Sequence, residues 1–181
     1  MCIRDSRFWL PLLGLYSGAR LSELCQLQLG DIREELGVWV ISISSSGARQ
    51  LKTADSERLV PLHKVILEAG FLAFHQQRLE ANGGDLSAPL FENLRAYGDL
   101  SPGHTASRWY RGSDKDDKGF LGQCGLGDDE LTFHGLRHTF IQQFRRQKLD
   151  MLIGKALVGH ADRSTCLLYT SPSPRDRQKS R

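Results

Sequence analysis

Apolar residues change their spacing several times along the chain, and each change marks an element. Over residues 8–29, Leu12, Leu13, Tyr16, Leu21, Leu24, Leu27 and Leu29 recur mostly at helical spacing, with a break at Ser17-Gly18-Ala19. This predicts two helices joined by a tight, glycine-containing corner. Arg20 opens the second helix, where free backbone N–H groups and the helix dipole favour an anion. The run VWVISI, residues 38–43, switches to β-branched and aromatic residues, and residues 58–62 offer a second short strand ending at Pro61. The intervening SSSGARQLKTADSE carries Lys52 near a turn, so a small antiparallel hairpin or three-stranded sheet is expected. Helical spacing returns over residues 64–80 through Val65, Leu67, Phe71, Leu72, Phe74 and Leu79, despite Gly70, and Asn82-Gly83-Gly84 ends that helix.

Further on, Pro89-Leu90-Phe91 reads as a short extended segment, and residues 106–111 as a brief helix bearing Trp109 and Tyr110. The polar stretch 113–129 is a long connection. Thr132 then suits the N-cap of a helix running to about Lys148, and a last helix spans residues 150–158, ending at Gly159-His160. No internal repeat is apparent.

Composition narrows the class without naming a function. The chain has 181 residues, 40% hydrophobic and 25% charged, which suits one globular core. A net charge of only +3 announces no basic field, so a nucleic-acid partner has to be argued from placed residues. Cys2, Cys25, Cys124 and Cys166 form no Cys-x-x-Cys pair, which points away from a zinc knuckle or a disulfide framework and toward a reducing cytoplasm. No apolar run approaches the ~20 residues of a membrane span. The end of the chain, CLLYTSPSPRDRQKSR, changes abruptly to Ser, Pro and Arg and reads as a disordered tail over residues 166–181. With the opening MCIRDS it also resembles translated sequencing-adapter read-through, so a piece of a longer reading frame is expected.

His134, Arg137 and His138 fall at i, i+3 and i+4 and are expected on one face of a helix, near its anion-attracting end. An arginine flanked by two imidazoles suits a phosphate with charge developing on its oxygens. Two other readings stay open. His-x-x-x-His with a third ligand from His160 can bind zinc, although a metalloprotease would place Glu where Gly135 stands. Packed histidines beside a structural arginine ion pair would also satisfy the spacing. Arg20 has its own plain alternative, a surface arginine paired with Glu23 three residues on, and Lys52 could be a solvated charge.

Four ordered blocks tip this balance: YSGARLSELCQLQLGDI, LKTADSERLVPLH, LTFHGLRHTF, and ALVGHADRST followed by Tyr169. In them the chain resembles the catalytic domain of the tyrosine recombinases, the group that includes the phage integrases. The resemblance implies a mostly helical α+β fold of the DNA breaking-rejoining type with a small antiparallel β-sheet, over residues 7–165. It also implies a DNA-clamping domain before the first block, which is expected to be missing from this sequence.

By the same resemblance, Arg20 and Arg137 would clamp the scissile phosphate and Lys52 would be the general acid toward the leaving 5′ oxygen. His134 would assist acid/base chemistry, His160 would hydrogen-bond the phosphate, and Tyr169 would be the nucleophile. Glu23 and His138 would be supporting residues. The implied activity is site-specific recombination or integration through a 3′-phosphotyrosyl link, needing no metal and no cofactor. The implied partners are double-stranded DNA, a homotetramer assembled on it, and accessory DNA-bending proteins. Alternatives are an inactive or truncated DNA-binding module of the same fold, a type IB topoisomerase, and the metal-dependent hydrolase already considered.

Overall fold

A computed structural model describes residues 6–45, 57–94, 101–112, 119–126 and 131–159. The first helix, α1 (Ser6–Ser17), buries Trp9, Leu10 and Leu13, and the corner at Gly18-Ala19 leads into the short α2 (Leu21–Cys25). A single 3₁₀ turn, Leu29–Asp31, feeds the strands β1 (Ile32–Glu35) and β2 (Val38–Ile43), and β3 (Arg58–Pro61) follows. The sheet is antiparallel with β2 central, and its register sets Ile41 against both Ile32 and Val60. Those three residues are almost fully buried, so one face of the sheet joins the core.

The helix expected over residues 64–80 is two helices, α3 (Lys64–Glu68) and α4 (Phe71–Ala81). Gly70 separates them with φ of 90°, a left-handed conformation that ends one helix and turns the chain into the next. The break lets Phe71 and Phe74 both reach Trp9, with ring centroids 4.9 and 5.6 Å away. The segment around Leu90 is extended as anticipated and lies against the chain after α2, with Leu90 N donating to Leu27 O and Leu29 N to Ala88 O.

Helix α5 (Pro102–Arg111) begins four residues before the anticipated start. Ser101 caps it by accepting a hydrogen bond from His104 N, and Pro102 occupies the first helical position, where a missing N–H costs nothing. A short α6 (Gly119–Gln123) precedes α7 (Phe133–Arg146) and α8 (Met151–Val158). Thr132 stands at the N-cap of α7 as expected, but its side chain makes no capping bond.

Helix α7 packs on α1 through close approaches at glycine. A Cβ at Gly14 would lie 2.5 Å from Cζ of Phe133, and one at Gly18 2.7 Å from both Phe140 and Val158. The corner at Gly18, with φ of 63°, is therefore wedged between α7 and α8. Among the described residues no helix is long and apolar enough to cross a membrane.

Candidate phosphate-binding site

Glu23 organises the site. Its side chain is 2% exposed, and its two oxygens accept four hydrogen bonds. Oε1 takes Nη1 of Arg20 at 2.6 Å and Nη1 of Arg58 at 3.3 Å. Oε2 takes the backbone N of Arg20 at 2.7 Å and Nη2 of Arg58 at 2.8 Å. All the acceptor sites of one carboxylate are thus engaged. Burial alone would raise the carboxyl's pKa, but bonds to Arg58, its charge, and the bonds from Arg20 outweigh this and hold it below the ordinary carboxylate range.

The N-terminus of α2, anticipated as an anion site, is therefore already occupied by the protein's own carboxylate. Arg20 is turned by that contact so that its side chain, 23% exposed, borders an open groove of about 380 Å³. Leu21, Ser22, Thr132, Phe133 and His134 also line the groove, as do Ser101, which caps α5, and Gly103, Ser107 and Arg111 within it.

Arg137 reaches the same region from below. It is 3% exposed, its Nη1 donates to Gly18 O at 2.8 Å, and its Nη2 is buried with no partner among the described residues. Burial, then the nearby charge of Arg20, lowers its pKa to about 10, with Glu23 opposing and Arg58 adding to the shift. It stays protonated at neutral pH. Arg20 and Arg58 share one carboxylate and Arg137 adds a third guanidinium close by, so the cluster is cationic despite the small net charge of the chain.

The three residues expected on one face of α7 divide. His134 and His138 are exposed, with their rings edge to face at 4.7 Å, while Arg137 points into the interior. Near 100° per residue, i+3 falls to one side of i and i+4 to the other, so a buried flank and an exposed flank can lie within one turn. His138 makes its ring contact with His134. Among the described residues no group of three or more His, Cys, Asp or Glu could hold a metal ion. Lys52, His160 and Tyr169 lie outside the described residues.

Arg58 was not anticipated as part of the site. Its Nε donates to Leu157 O at 2.7 Å, so one side chain ties β3 to α2 and to the end of α8. The signal was present in the alternation of β3. Arg58, Val60 and Leu62 share a parity, Val60 and Leu62 are buried, and Arg58 is paired across the sheet with buried Ile43. A charged residue on the core-facing register needs a buried partner, and Glu23 is that partner.

Arg20, braced by Glu23, thus faces an open groove with Arg58 and Arg137 behind it, a cationic arrangement suited to an anion. The model of the phage integrase family matches residues 6–175, and the chain belongs to that family. Tyrosine recombinase XerA of Pyrococcus horikoshii is 30% identical over 170 residues, 93% of this chain and 50% of that protein. Tyrosine recombinase XerC of Thermodesulfovibrio yellowstonii is 30% identical over 157 residues, 85% of this chain and 46% of that protein. The chain thus spans about half the length of these curated relatives. Among solved structures, XerA recombinase superposes with a TM-score of 0.59 at 23% identity, covering 97% of this chain and 57% of that one. XerH site-specific recombinase bound to its difH substrate gives 0.58 at 20%, covering 99% of this chain and 47% of that one. These likenesses establish the fold, a mostly helical α+β unit with a small antiparallel sheet.

Proposed function

We propose that this chain is the catalytic part of a site-specific DNA recombinase or integrase that cuts and rejoins double-stranded DNA through a 3′-phosphotyrosyl intermediate. The observation that carries this reading is the convergence of Arg20 and Arg137, from α2 and α7, on one carboxylate-braced cationic cluster beside an open groove. A phosphodiester carries one negative charge and its pentavalent transition state two. A cluster with surplus positive charge therefore stabilises the transition state more than the ground state, as a catalyst must.

In the reaction, Tyr169 Oη attacks phosphorus, forming the P–O(tyrosine) bond and breaking the bond to the 5′ oxygen. Lys52 gives that oxygen its proton, and His134 is the candidate base for the tyrosine proton. Arg20 and Arg137 hold the non-bridging oxygens, and His160 adds a hydrogen bond to them. The phosphate ester bond is exchanged and not hydrolysed, so a 5′ hydroxyl from a partner duplex can reverse the step. Residues 7–165 are taken as the catalytic body and 166–181 as a tail containing Tyr169. The family match running on to residue 175 supports counting Tyr169 with the set. The working form is a homotetramer on DNA, in the cytoplasm, with accessory DNA-bending proteins as partners.

The decisive experiment incubates the protein with a randomised pool of nicked suicide duplexes and looks for a covalent protein–DNA adduct on a denaturing gel. The adduct is expected with EDTA present and absent in Tyr169→Phe and Arg137→Ala. Its loss on chelation, or its survival in Tyr169→Phe, defeats the proposal.

A further inference from the structure

Arg58 makes contacts that the clamping of a phosphate does not itself require. Its side chain is 7% exposed and spans three elements: it grips both oxygens of Glu23 from β3, and its Nε closes on Leu157 O in the last turn of α8. The carbonyls of a helix end carry partial negative charge, so a guanidinium is a favourable cap there. The chain then turns at Gly159 with φ of 65°, so close that a Cβ would lie 2.8 Å from Nη1 of Arg58. His160 is the next residue. Arg20 and Arg58 thus share one carboxylate, and whatever moves Arg58 moves Arg20 with it.

We propose that Arg58 is a positioning residue of the phosphate site, one guanidinium that braces Glu23, and through it Arg20, against the C-terminal turn of α8. The proposal rests on the reading that Arg20 and Arg137 bind a phosphodiester. Arg58 need not touch the phosphate. Its contribution is to keep Glu23 ionised and in place, so that Arg20 presents its outward N–H groups to the groove in one orientation. The charged groups around Glu23 are Arg20 from the start of α2, Arg58 from β3 and Arg137 from α7, with Asp31 lining the same small crevice. Of these, Arg58 makes the largest contribution to keeping the buried carboxylate charged. Without it, burial dominates and Glu23 takes up a proton at higher pH.

The test is sulfate binding by the whole chain, measured by titration calorimetry across a pH series. Sulfate is chosen because its own charge is constant over the range in which carboxylates titrate. Wild type is expected to bind sulfate, and Arg20→Ala to lose it. Arg58→Ala should bind about tenfold more weakly, the low end of what removal of an outer supporting partner costs. Its loss of affinity on acidification should also begin at higher pH than in wild type. A merely structural role at the end of α8 would leave that pH limb where it was.

Arg58→Lys keeps one charge near Glu23 but cannot also span to Leu157 O. It should show the same two changes in smaller measure, and it serves should the alanine variant fail to fold. Arg33→Ala, on the exposed Arg33–Glu35 pair, is the control and should change nothing. Wild-type affinity and an unmoved pH limb in the folded Arg58 variants would overturn the positioning role alone. If wild type and Arg20→Ala bind sulfate equally or not at all, the phosphate-site reading itself fails.

Discussion

At the residue scale the site is a buried charge network, and its cost and its use are linked. Arg137 is held in the interior with one bond to Gly18 O, an Nη2 that has no partner among the described residues, and two neighbouring cations. Among the described residues Arg137 bonds no carboxylate directly, and Arg20 and Arg58 oppose its charge while Glu23 favours it, so Arg137→Met, an apolar replacement of similar volume, should change unfolding free energy by no more than about 1–2 kcal/mol in either direction. The same change should abolish the rise in melting temperature that sulfate gives the wild type, because an anion bound only by the folded state stabilises it by mass action. A scan with and without sulfate checks both.

Glu23 makes the complementary case. Its folded pKa lies below its unfolded one, so the stability it adds is fully present above the ordinary carboxylate range and is lost as pH falls through the lower folded value. Glu23→Gln removes that term. The variant is expected to be less stable than wild type at neutral pH and to lose less on acidification, so that the two melting curves converge at acid pH. Parallel curves across the series would mean that Glu23 titrates alike in both states.

At the scale of elements, the contact between α1 and α7 depends on residues that present no side chain. Gly14 lets the ring of Phe133 lie against α1, and that ring also meets Tyr110 of α5 with centroids 5.3 Å apart. Gly14→Ala would put a methyl 2.5 Å from Phe133 Cζ, so an overpacking cost of about 1–3 kcal/mol is expected in urea unfolding. Because Phe133 opens α7 and precedes His134, the displacement should lower sulfate affinity too, although no ligand-facing residue has been changed.

These contacts explain what the sequence could and could not reveal. β2, β3, α7 and α8 were legible because each has a clear pattern or end signal, as in VWVISI or the Gly159 stop, whereas β1, IREE, has no apolar alternation to announce it. The split at Gly70 was not, since the apolar spacing runs on through it and only the tertiary demand for Phe71 and Phe74 at Trp9 selects the break. The early start of α5 was readable from Ser101-Pro102 but was masked by the weakly apolar turn that follows. For the site, Arg20, Glu23 and Arg137 stand out by motif. Arg58 is visible only once the pleat of β3 is counted, and the separation of Arg137 from His134 and His138 depends on which flank of α7 the core takes.

At the scale of the whole molecule, a chain of modest net charge is proposed to hold a polyanion, and the placement of charge has to compensate for its amount. Electrostatic affinity for duplex DNA falls with salt, with a log–log slope of about −0.9 for each phosphate neutralised. With the cationic cluster recessed behind a groove, few phosphates would be engaged on the proposed reading, so the slope for this chain should be shallow. Within that small total, Arg20 faces the groove and should count as one phosphate contact. Arg20→Ala is then expected to reduce the magnitude of the slope by about one, weakening binding to all sequences alike. Arg58→Ala should lower affinity with a smaller change in slope, since on the positioning argument it neutralises Glu23 and not DNA. Fluorescence anisotropy on a random duplex over a salt series distinguishes the two. Equal loss of slope in both variants would place Arg58 against the phosphate itself.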